Sequence, residues 1–115
     1  MISITDELAP YILAVVAQIP YGCVASYAQV ARLSGFPKHA RLVGKVLQQL
    51  DSESDVPWHR VINAQGKISL KKMNEQGENI QRNKLINEGV LVIQDKISLK
   101  AYQWDGNVEY SKIKG

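Results

Sequence analysis

Two short helical patterns joined by Ser34-Gly35-Phe36-Pro37 constrain this chain more than any other feature. Ser26-Tyr27-Ala28-Gln29 has the form of a capping box, in which a hydroxyl satisfies an unpaired amide and the glutamine reaches back. It starts a short helix through Val30, Ala31 and Leu33, which the Gly and Pro of the following turn stop. A further helix is expected over residues 38–50. Leu42 or Val43, Val46, Leu47 and Leu50 fall on one face, while Lys38, Arg41, Lys45 and Gln48 fall on the other. Segments this close must pack on each other, and a basic outer face on the second makes residues 26–50 a helix-turn-helix candidate.

The remaining chain supplies what such a unit packs against. Thr5 is a competent N-cap, Asp6 and Glu7 suit the positive end of a helix dipole, and Leu8, Ile12, Val15 and Ile19 form one apolar stripe. That helix ends before Pro20, and Pro20-Tyr21-Gly22 reads as a turn. Lys67-Ile68-Ser69-Leu70 alternates like a short strand, and residues 71–77 read as polar and mobile. A helix is expected over 78–88, ended by Gly89. Residues 90–93 and 96–99, divided by Gln94-Asp95, read as a β hairpin with Tyr102 and Trp104 beneath it, followed by a tail from Gly106 that frays. The expectation is a mostly α chain with a small β hairpin, one domain over residues 1–115.

Composition narrows the function classes. With 115 residues and 45% hydrophobic content the chain is globular, and no apolar run approaches the ~20 residues of a spanning helix. The first residues lack the basic start of a secretory signal. Cys23 is the single cysteine, which excludes an internal disulfide and a cysteine-rich zinc site and fits a reducing cytoplasm. Net charge is only +3, but Arg32, Lys38, Arg41, Lys45, Arg60, Lys67, Lys71 and Lys72 concentrate the basic residues in the middle of the chain. A basic face for nucleic acid is therefore expected, against the plainer reading of scattered solvated lysines.

Chemistry is harder to find. Cys23 has no basic neighbour in sequence and reads as a packed thiol, Ser26 reads as a cap, and His39 as a surface or phosphate contact. No metal-ligand spacing and no phosphate-binding glycine loop is present, so neither metal nor cofactor is expected. One stretch, Pro57-Trp58-His59-Arg60-Val61 with Ile62 and Asn63, places a ring, an imidazole and a guanidinium side by side. Read locally, Trp58 is either a core anchor or the wall of a pocket.

The motifs become specific together. Ile19-Pro20-Tyr21-Gly22, Ser26-Tyr27-Ala28-Gln29-Val30-Ala31, Ala40-Arg41-Leu42-Val43-Gly44, Pro57-Trp58-His59-Arg60-Val61, and Leu85 with Glu88-Gly89-Val90 occur in this order. They resemble the winged helix-turn-helix-like DNA-binding domain of the O6-alkylguanine-DNA alkyltransferases. In that family the central motif carries an acceptor cysteine where Trp58 stands. The replacement is similar to that of the alkyltransferase-like proteins, non-enzymatic relatives of the repair enzymes.

The resemblance implies roles. Tyr27 would press on a phosphate and help rotate a nucleotide out, and Arg41 would fill the gap it leaves. Ser26, Lys38, Ala40, Gly44 and Lys45 would complete the DNA-binding face, the small residues allowing close approach to the minor groove. Tyr27, Trp58, Val61, Ile62, Ser69 and Lys71 would line a lesion pocket, with Lys71 or Lys72 sensing the base. His59, Arg60 and Glu88 would brace the pocket without a thiol to activate. An indole has no thiolate and cannot take an alkyl group by displacement. The sequence departs from the family in the acidic loop over 51–55, in the loop after Ser69, which lacks the family's glycines, and in having no room for a separate N-terminal domain.

The expected function is recognition of O6-alkylguanine in duplex DNA by minor-groove binding and base flipping, without alkyl transfer, by a cytoplasmic monomer that hands the lesion to nucleotide excision repair proteins. A winged-helix regulator reading the major groove, and a residual alkyltransferase or lyase using another nucleophile, are the alternatives.

Overall fold

The computed structural model describes residues 3–112. The first helix, α1 (Ile4–Val16), is capped by Ser3 and not by Thr5: the Ser3 hydroxyl accepts from the Asp6 amide at 3.1 Å. Starting there places Thr5 on the buried face beside Leu8, Ile12 and Val15. Helix α2 (Tyr27–Leu33) begins as its capping sequence requires, with the Ser26 hydroxyl accepting from the Gln29 amide at 3.1 Å. Helix α3 (Ala40–Gln49) starts two positions later than the pattern suggests, because the His39 amide donates to the Phe36 carbonyl at 2.9 Å and closes a turn over Lys38. α1, α2 and α3 pack on one another around Val15, Val16, Val30, Val43 and Leu47.

A two-stranded parallel sheet divides the interior. β1 (Ala25–Ser26) pairs with β2 (Val61–Ile62), Ala25 opposite Val61 and Ser26 opposite Ile62. Successive strand side chains point to opposite faces. Ala25 and Val61 accordingly join the main core, which also holds Trp58, whereas Val24 and Ile62 join a second cluster with Leu85, Val90 and Ile97. A single 3-10 turn, Trp58–Arg60, leads into β2. Helix α4 (Ile80–Asn87) closes the second cluster and ends at Gly89, whose φ of 83° is the left-handed conformation of a helix terminator.

Several local expectations change. The turn at Gln94-Asp95 forms, with both residues at positive φ and Ile93 and Lys96 exchanging backbone bonds at 3.0 Å. The hairpin stops there. Ser98 caps a short helix, α5 (Leu99–Tyr102), its hydroxyl accepting from the Ala101 amide, so the second strand is replaced. Residues 67–70 form no strand; Lys67 makes one bridge to Lys96. At Gly66 (φ 82°) a Cβ would lie 2.3 Å from the Ile97 carbonyl oxygen, so only glycine fits where these two segments meet. Residues 74–78 form a turn built on Asn74, whose side chain accepts from the Gln76 and Glu78 amides.

Tyr102 packs on the second cluster, but Trp104 belongs to the main core. As far as Tyr110 the segment after it is docked and not frayed, and the end of the expected fraying tail, residues 113–115, lies outside the described residues. The Gln18 side chain exchanges two bonds with the Glu109 backbone, Val108 packs on the core, and the Tyr110 hydroxyl donates to the Leu33 carbonyl at 3.2 Å.

Candidate nucleic-acid interface

The outer face of α3 is built for an anionic partner. Lys38, Arg41 and Lys45 are exposed, and among the described residues no hydrogen bond or ion pair engages their side chains. Ala40 and Gly44 lie half-buried on the same helix. A Cβ at Gly44 would sit 3.8 Å from the Tyr27 ring, so α3 and the start of α2 approach closely there. Tyr27 is half-buried, and its hydroxyl lies 2.5 Å from the Ser69 hydroxyl. Burial raises its pKa above the ordinary phenol value, against a smaller pull from Ser69, so it is a neutral hydroxyl at physiological pH. Ser26 is buried with its oxygen engaged as the α2 cap, which sets it apart from the exposed residues of the face.

A second feature is a largely buried charge network. The Glu88 carboxylate accepts from Arg60 through Nε (2.9 Å) and Nη2 (2.8 Å), from the Gly22 amide at 2.9 Å, and meets His59 Nε2 at 2.6 Å. Arg60 Nη1 donates in addition to the Ile19 carbonyl at 2.7 Å, and its guanidinium carbon lies over the Tyr21 ring, 5.7 Å from the centroid. Burial raises the Glu88 pKa, but donation from Arg60, Gly22 and His59 outweighs it and holds the group at about 2. Burial lowers the His59 pKa against the opposing pull of Glu88. At neutral pH the imidazole is therefore uncharged and donates its Nε2 proton, and the ion pair proper is Arg60–Glu88. The network ties the turn before β1, the 3-10 turn and the end of α4 into one rigid block.

Trp58 and Val61 share the main core, whereas Ile62 points to the other side of the sheet, so these residues do not form one wall. Trp58 is fully buried, as the local reading as a core anchor requires, and its Nε1 donates to the Ser52 carbonyl at 3.2 Å. Of the two candidate lysines it is Lys72, and not Lys71, that meets the indole, with Nζ 5.0 Å from the ring centroid. Lys71 is exposed, and its backbone is bonded to the Gln48 side chain. Cys23 is half-buried against the main core in the turn before β1.

Residues 8–90 match the family described as 6-O-methylguanine DNA methyltransferase, DNA binding domain. The chain belongs to this family. Among its relatives is the DNA base-flipping protein of Vibrio parahaemolyticus, 45% identical over 100 residues that cover 86% of this chain and 97% of the relative. Alkyltransferase-like protein 1 of Schizosaccharomyces pombe is 40% identical over 104 residues, covering 86% and 95%. The structure of S. pombe Atl1 in complex with damaged DNA containing O6-carboxymethylguanine superposes with a TM-score of 0.78 at 40% identity, covering 91% of this chain and 99% of that one. O6-methylguanine methyltransferase of Mycobacterium tuberculosis superposes with a TM-score of 0.61 at 33% identity, covering 71% of this chain and 48% of the enzyme.

This alkyltransferase-type domain also relies on residues that its sequence did not single out. Gln81 is fully buried on α4: its Nε2 donates to the carbonyls of His59 and Val61, and its Oε1 accepts from the Leu70 amide at 3.3 Å. It thereby couples the central motif to the loop after Ser69. A signal existed, since Gln81 lies one helical turn before Leu85 on the face that must be buried. The Gly22 amide carried no such signal, because a backbone donor leaves no mark on residue identity.

Proposed function

We propose that this chain binds duplex DNA through the outer face of α3 and recognises O6-alkylated guanine by rotating it out of the helix toward Trp58, without transferring the alkyl group. The observation that carries this reading is the central motif itself. His59, Arg60 and Glu88 are assembled into a braced site, yet the position ahead of His59 holds an indole. An indole where the family carries its acceptor thiol, with Cys23 lying apart in the turn before β1, supports binding over transfer. A base stacked on an aromatic ring gains about 1–3 kcal/mol, and flipping costs a few kcal/mol, less where pairing is already weak. Those magnitudes favour an alkylated guanine over its paired neighbour.

In this reading Arg41 enters the base stack, Tyr27 braces the rotated phosphate, and Lys38 and Lys45 neutralise the backbone. A binder that does not react needs a successor, and nucleotide excision repair proteins are the class that fits, acting on a cytoplasmic or nucleoid-bound monomer. The similarity to Atl1, whose structure contains damaged DNA, supports the same ligand class here. The test is titration of matched duplexes carrying O6-methylguanine or guanine at one position. The expected result is tighter binding to the lesion; equal affinity overturns the proposal.

A further inference from the structure

Stacking a base on Trp58 requires an open indole face, and this structure closes it. None of the Trp58 surface reaches solvent. One edge is pinned by the Nε1 bond to Ser52, and the Lys72 ammonium lies over the ring, 5.0 Å from its centroid. That ammonium also donates to the carbonyls of Gln48 (3.2 Å) and Leu50. These carbonyls belong to the end of α3, where unpaired acceptors and the negative pole of the helix dipole favour a cation. The backbone around Lys72 is fixed independently: the Lys71 amide donates to the Gln48 side chain at 3.1 Å, and the Ile80 amide to the Lys72 carbonyl at 2.8 Å. The mobile part is therefore the lysine stem, four rotatable carbons ending in a strongly hydrated charge.

We propose that Lys72 is a latch on the recognition site: its ammonium occupies the space above Trp58 in the free protein, and a flipped purine must displace it to stack on the indole. This inference rests on the lesion-recognition reading above. The binding-competent state is the one with the lysine swung out, and apparent affinity is reduced by the fraction of molecules in that state. Nonspecific binding through α3 does not need the site open, so the latch acts on lesion binding and leaves backbone binding alone.

Lys72→Ala removes the cover, and Lys72→Arg retains a cation with donors. Acrylamide quenching of the free protein, in a Trp104→Phe background that leaves Trp58 as the sole indole, reads the cover without DNA. Duplex titrations with O6-methylguanine or guanine use the chain with Trp104 intact, so they do not depend on that background. Quenching should rise in Lys72→Ala, and its preference for the lesion duplex over the guanine duplex should increase on the order of tenfold, with Lys72→Arg close to the parent. Unchanged quenching, or a lesion preference weakened in Lys72→Ala, overturns the latch. Equal binding of both duplexes by the parent, with quenching still raised in Lys72→Ala, overturns the lesion reading and with it the latch's role, and the two failures are thereby told apart.

Discussion

Glu88 grips Arg60 through both of its oxygens, Nε to Oε1 at 2.9 Å and Nη2 to Oε2 at 2.8 Å, with both side chains almost out of solvent. Planar fork-to-fork pairing of this kind is strong and geometrically specific. It is also what makes the pair costly to break, since the remaining partner is left as an uncompensated buried charge.

Glu88→Gln should therefore destabilise the fold by about 3–5 kcal/mol. The amide preserves size but turns an NH2 group toward donors from Arg60, Gly22 or His59. Urea denaturation read by circular dichroism measures the loss. A change below about 1 kcal/mol, the range of an exposed pair, would mean that the network carries little of the fold. Arg60→Lys should also be costly, because an ammonium cannot reproduce two parallel bonds to Glu88 together with one to the Ile19 carbonyl.

Acid should destabilise the protein in two stages of the same sign. His59 is held below its ordinary value of 6.5 by burial, against Glu88, so the unfolded chain binds its proton first and stability declines as pH falls below 6.5. Glu88 is held at about 2 against an ordinary 4.5, because donated hydrogen bonds outweigh burial. Its contribution is complete above 4.5 and is lost as pH falls through 2, amounting to roughly 3 kcal/mol. Melting temperature followed from neutral to acid pH should show a shallow decline and then a steeper one. Replacing Glu88 by Gln should remove the second; a parent whose stability is flat down to pH 4.5 would contradict the His59 assignment.

The amphipathic α3 and its basic face were legible because one helix showed both periodicities at once. The central motif was recognisable from its order among other motifs, but its burial was not, since no periodicity tells a covered indole from an open one. Residues 96–99 fit an alternating pattern too short to separate strand from helix, and the Ser98 cap decided the matter. The C-terminal segment looked polar, yet Gln18 is a side chain that can satisfy both backbone groups of Glu109, a long-range pairing with no local sequence signature.

Arg41→Ala tests the nucleic-acid face with little risk to the fold. The residue is exposed and its guanidinium has no partner among the described residues. Thermal stability should move by no more than about 0.5 kcal/mol. Binding to an O6-methylguanine duplex should weaken by at least tenfold, about 1.4 kcal/mol, since the gap left by the flipped base is no longer filled. Lys45→Ala should instead weaken lesion and guanine duplexes alike and lower the salt slope by about one unit. Equal effects of the two variants on both duplexes would show that Arg41 is only one more phosphate contact.

Trp58→Cys asks whether the site lacks only its sulfur. Restoring a thiol beside His59 recreates the alkyltransferase motif by sequence, but the surroundings argue against transfer. The indole fills the main core, so the exchange leaves a large void, costing on the order of 3–5 kcal/mol. The new thiol would lie in apolar surroundings, where burial raises its pKa and keeps it protonated. His59 Nε2 is already committed to Glu88 at 2.6 Å. Intact mass after incubation with an O6-methylguanine duplex should be unchanged in both the parent and the Trp58→Cys variant. A methyl group gained by the variant alone would show that the thiol is all the site lacks; one gained by the parent would place a nucleophile elsewhere and end the non-catalytic reading.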